Sequence, residues 1–133
     1  MNRPGARRSL ALAVVLLSLC SVSSAIVESG AEGLKARHDR SIATSQGRQY
    51  EEGAVRRFWG DARFMQECAP KGSPIAEPLT IYFEVGADGR MGRLLITPET
   101  AVGKCIRGHV LGRRFDAPPA GDFVVKIDLE FRE

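Results

Sequence analysis

Cys105 and His109 stand four residues apart in KCIRGHVLGRRFDAPPAG, residues 104–121, a spacing that brings two side chains together along one helical face. Three chemistries could use such a pair: a nucleophile with its base, part of a metal site, or half of a structural bridge beside a bystander ring. A catalytic cysteine needs a base within reach and a third group to orient that base. No acid or amide at the neighbouring helical spacing is placed to orient His109, and both residues fall on a stripe expected to be buried. A metal site would draw on Cys68, Cys105, His109 and a fourth ligand such as His38, but the cysteines lack the close pair spacing of zinc knuckles. No serine triad or compact acid pair stands out either. The reading is therefore of a non-enzyme with no catalytic residue, no metal site and no cofactor, which leaves the bridge.

The start of the chain supplies the compartment for one. MNRPGARRSLALAVVLLSLCSVSSAIVESG has arginines at 3, 7 and 8, an apolar run from Leu10 to Leu19, and small residues at Ser23 and Ala25. That is the layout of a secretory signal peptide over residues 1–25, cut after Ala25, with a core too short to span a bilayer comfortably. Lipidation at Cys20 is not expected, because Leu19 occupies a position where such sites need a very small residue. The protein is expected in the periplasm, where an even cysteine count favours a disulfide. Cys68 and Cys105 are the two cysteines after the leader.

Removing the leader also changes the charge. Three of the 19 basic residues precede the cut and all 16 acidic ones follow it, so the remaining 108 residues are formally neutral. The excess of positive charge belongs to the leader, and no cluster of basic and aromatic residues follows; nucleic acid is excluded as a partner.

These residues need elements to position them. Residues 26–47 carry few large apolar side chains and no steady period, which predicts a flexible lead-in with one loose helical turn, His38 lying solvated among its charges. The domain proper is expected over residues 48–133. Val55, Phe58, Trp59, Ala62 and Met65 recur at helical spacing, predicting a helix from Arg48 to about Cys68 whose aromatic pair packs in a core. APKGSP then breaks it. Leu79, Ile81, Phe83 and Val85 alternate as a strand, Asp88-Gly89 supplies a hairpin turn, and a second strand runs to about Thr97. The run Leu94-Leu95-Ile96 leaves its register ambiguous, and the glycines there suit a bulge better than a phosphate loop. Thr97-Pro98-Glu99 reads as a helix start, followed by the stripe Val102, Cys105, Ile106, His109 and Val110. His109 is expected as a partly buried ring near that helix's end. After the FDAPPAGD connector, Phe123, Val125, Ile127, Leu129 and Phe131 alternate with Val124, Lys126, Asp128 and Glu130 as the last strand.

Connection rules convert this order into a topology. The hairpin is antiparallel, and the helical crossover makes the last strand parallel to the second, so it pairs beside the first. The expected fold is α+β, a helix–β-hairpin–helix–strand domain with a three-stranded antiparallel sheet of order 2-1-3 and both helices on one face. The last strand becomes an edge, with Val124, Lys126, Asp128 and Glu130 pointing to solvent from the uncovered face. Cys68 ends the first helix and Cys105 sits on the second, so a bond between them staples helix to helix. Closing a loop of about 38 residues contributes roughly 4 kcal/mol in the chain-entropy view, a large share for so small a core.

The run from about Val55 to Phe131 resembles the TonB carboxy-terminal-like domains, in particular the AgmX/PglI type found at the ends of energy-transducer proteins. The likeness rests on Cys68 closing the first helix, on DGRMGRLLI, on VGKCIRGHVLGRRFDAPPAG with its valine, cysteine, aromatic, prolines and glycine, and on FVVKIDLEF. It implies a periplasmic binding fold that takes up a partner strand along its edge. The family's usual anchor and long proline-rich spacer are not read here, so the likeness is carried to the fold, the staple and the edge. The function expected is a non-enzymatic periplasmic interaction module that binds an envelope protein or peptide by strand addition at Val124, Lys126, Asp128 and Glu130. A homodimer through the same edge is a related expectation. The alternative is a small secreted inhibitor or immunity protein of an envelope enzyme, with APKGSPIAEP as its presenting loop.

Overall fold

The computed structural model describes residues 30–60 and 62–132; the leader, its cut site and Cys20 lie outside the described residues. The elements in chain order are α1 Ala31–Ser41, α2 Ser45–Trp59, α3 Phe64–Cys68, β1 Leu79–Val85, β2 Met91–Thr97, α4 Ala101–Val110 and β3 Phe123–Leu129. The strands form one antiparallel sheet of order β2-β1-β3, and the fold is α+β.

The strand alternation sets the sheet's two faces. Leu79, Ile81, Phe83 and Val85 of β1 are buried on one side, with Ile81 opposite both Ile96 and Ile127. The ambiguous register of β2 is resolved by a bulge: Phe83 pairs with Leu94 but Val85 pairs with Met91, so β2 carries an extra residue. At the hairpin tip Gly89 adopts φ 79°. A Cβ there would lie 2.1 Å from the carbonyl oxygen of Phe115, whose own N–H donates to the Gly89 carbonyl. Glycine is needed both for its backbone conformation and for this close approach, which docks the connector onto the turn.

One face of the sheet carries the main core. Ala54 and Phe58 of α2, Phe64 and Cys68 of α3, and Ile106 and Val110 of α4 join Ile81, Phe83, Val85, Leu94, Ile96, Phe123, Val125 and Ile127 in one cluster. Phe83 sits at its centre, stacked on Phe58 at 5.4 Å and on Phe115 at 5.0 Å between centroids. Burying each such side chain contributes about 1.5–3 kcal/mol. The helix expected over 48–68 is two pieces. It begins earlier, because the Thr44 hydroxyl accepts from the Gly47 N–H, and it breaks at Gly60, whose φ is 35°. The crossover helix also starts later than expected: Thr97 belongs to the β2 ladder opposite Thr80, and the hydroxyl that caps α4 is that of Thr100, accepting from Gly103 N–H at 3.0 Å.

The opposite face departs most from the sequence reading. Residues 31–41 of the expected flexible lead-in form α1, which crosses that face. Leu34 is fully buried there against Tyr82 and Val124, with Leu95 alongside. One large apolar residue per three turns gave too weak a period to declare the helix; its remaining anchors are polar.

Candidate functional site

The four residues assigned to the partner edge occupy different environments. Val124 is not a solvent-facing residue: it is fully buried beneath Leu34, because α1 covers the face it points to. Lys126 is half-buried, its ammonium 2.8 Å from Asp128. Asp128 is exposed and also accepts from the Thr80 hydroxyl at 3.0 Å, and Glu130 is exposed and paired with Arg132. The hydrogen bond from Lys126 holds the Asp128 carboxyl below its usual range, and the same bond raises Lys126 above the usual lysine value.

The backbone of that edge is partly occupied from within. Val124 N–H donates to Ser41 Oγ at 3.1 Å, and Lys126 N–H donates to Glu51 Oε1 at 3.1 Å. Successive outward amides of β3 are thus met by side chains from α1 and α2 rather than by a neighbouring strand. Glu51 Oε1 also lies 2.6 Å from His38 Nε2, so one carboxylate ties α1, α2 and β3 together. His38, expected in solvent, is 7% exposed and meets Tyr82 edge-on. Arg37 completes the attachment with a 2.6 Å pair to Glu84 on β1. The signal for this arrangement is present in the chain as Leu34, His38 and Ser41 at spacings of four and three, a stripe in which only one member is apolar.

Beyond Lys126 the edge opens. Among the described residues no side chain meets the next outward amide, that of Asp128. The segment just past the strand then lines a trough of about 680 Å³ between Met65, Gln66, Ala69, Pro70 and Lys71 on one bank and Glu130, Phe131 and Arg132 on the other. The trough continues along the 70–76 loop, where Ile75 is 56% exposed.

The cysteine and histidine of the opening motif form a second centre. Cys68 and Cys105 are disulfide-bonded, with 5.5 Å between their Cα atoms, and the bond joins α3 to α4. The bond takes both sulfurs, so a Cys105 nucleophile is not presented. His109 sits in the last turn of α4 with its side chain 35% exposed and its ring stacked on Phe64 at 5.6 Å, the partly buried position expected of it. The orienting acid that α4 lacks is supplied by another element: Glu67 of α3 sits 3.1 Å from His109 Nε2. Helical spacing within one segment could not reveal that partner. His38, engaged with Glu51, does not belong to this group.

No family model, curated protein or solved structure matches the chain. No helix of the described residues is long and apolar enough to cross a membrane, and the disulfide is compatible with export.

Proposed function

We propose that this chain is a non-enzymatic periplasmic interaction module that takes up an envelope protein or peptide as an added strand along β3. The observation that carries the reading is the half-masked edge: Ser41 and Glu51 cover the amides of Val124 and Lys126, no described side chain covers that of Asp128, and Glu130–Arg132 just beyond it line an open trough. Main-chain pairing would begin at Asp128 and supply affinity, and the trough beside Phe131 would select side chains. The leader-like start, the disulfide and the resemblance to TonB carboxy-terminal-like domains support the same reading. Two copies pairing through this edge would give a homodimer by the same chemistry.

The test places a photo-cross-linker at Glu130 in intact cells. Cross-links are expected to a dominant partner, or to a second copy, and should vanish in Asp128→Pro, which removes the outward donor while leaving circular dichroism and Tm close to those of the parent. Undiminished cross-linking by that variant would remove the proposal. The exposed Ile75 favours a second reading, an inhibitor that seats the Ala69–Pro78 loop on an envelope enzyme. Cross-links mapping to that loop, with the captured hydrolase inactive, would select it.

A further inference from the structure

Independently of the edge, we propose that opening the Cys68–Cys105 bond converts the α3–α4 seam into a binding site for a thiophilic divalent cation of the zinc class. The donor atoms of Cys68, Cys105 and His109 already lie within 4.8 Å of one another. A tetrahedral zinc site, with bonds of about 2.3 Å to sulfur and 2.0 Å to nitrogen, spaces its ligands by roughly 3.5–3.8 Å. The chief movement required is the parting of the two sulfurs, and the helices that carry them stay where they are.

Each ligand is pre-positioned. Cys105 and His109 share a face of α4, and Cys68 closes α3 with its Cα 5.5 Å from that of Cys105. Phe64 stacks on the imidazole and Glu67 lies 3.1 Å from its Nε2; in the proposed site the other ring nitrogen takes the cation. A carboxylate on the far nitrogen is the ordinary support of a ligating histidine. Two thiolates and a neutral imidazole balance a divalent charge, and their softness selects zinc over magnesium or calcium. Three protein ligands leave a fourth position to water.

The chemistry balances in two steps. An external dithiol gives two electrons and two protons to the protein disulfide and departs as its own disulfide. The cation then displaces both thiol protons to solvent. Access is available, since His109 is at the surface and Cys105 is only partly buried.

The experiment reduces the exported protein with a dithiol, removes the reductant by anaerobic desalting and titrates Co²⁺, following absorption and far-ultraviolet circular dichroism together. A thiolate-to-cobalt charge-transfer band with intense tetrahedral d–d bands is expected at one equivalent, displaced by Zn²⁺ and absent from the oxidised protein. Glu67→Gln should weaken binding by about 10-fold and His109→Ala by about 100-fold or more. A reduced chain that loses its fold and regains it with cobalt supports the site equally. Absent bands, whether the reduced chain is folded or not, or unchanged affinity in His109→Ala, would overturn it.

Discussion

The two faces of this sheet are held by different physics. On one, a contiguous apolar cluster of α2, α3, α4 and strand residues is closed by a covalent bond. On the other, α1 rests on a single buried leucine and three polar attachments, His38 to Glu51, Ser41 to Val124 and Arg37 to Glu84, with Glu51 of α2 in turn accepting from Lys126 N–H. Apolar area is lost only by unfolding, whereas a hydrogen bond to an edge amide exchanges with water or another strand at a net cost of about 1 kcal/mol. The first face stores the stability. The second controls access to the edge.

That contrast can be broken in order of expected effect. Phe83→Ala removes the ring between Phe58 and Phe115 and should cost about 3–5 kcal/mol in urea unfolding, with every probe shifting together. A milder loss probing only part of the molecule would mean that the main core is not one cooperative unit. The paired change Cys68→Ser with Cys105→Ser should cost about 2–4 kcal/mol, seen as a lowered urea midpoint that a dithiol no longer changes.

Leu34→Ala should cost about 2–3 kcal/mol but act locally. Hydrogen exchange should quicken at the amides of Val124 and Lys126 well before it changes at Phe83. Equal acceleration at all three would erase the distinction between the faces. The smallest effect belongs to the Lys126–Asp128 pair. Its depressed carboxyl contributes stability above the unfolded aspartate value near 4 and loses it as pH falls through the lower folded value; its raised lysine contributes below about 10 and loses it as pH rises through the higher folded value. Both groups are partly solvated, so Asp128→Asn should cost under about 1 kcal/mol between those limits, less in high salt, and nothing in strong acid.

What could be read in the chain follows the same division. Period-two alternation in Leu79–Val85 and Phe123–Leu129, the Asp88-Gly89 turn and the crossover rule lead to the order β2-β1-β3 without any coordinates. The cysteine pair was legible too, since two cysteines behind an export leader have one partner each. The α1 helix was not, because its anchoring residues include a histidine and a serine, which read as surface until the partners from Glu51 and β3 are known. The Gly60 break was hidden for another reason: the apolar spacing from Phe58 to Met65 continues across it.

Local pattern thus determined which segments become strands, where the hairpin turns and which sulfurs can meet, since each depends on near neighbours or on counting. Tertiary structure alone decided that Val124 is buried, that Ser41 and Glu51 cover the head of β3, and that Glu67 faces His109. Those outcomes join residues from 42 to 90 positions apart, where no periodicity reaches and only packing brings the partners together.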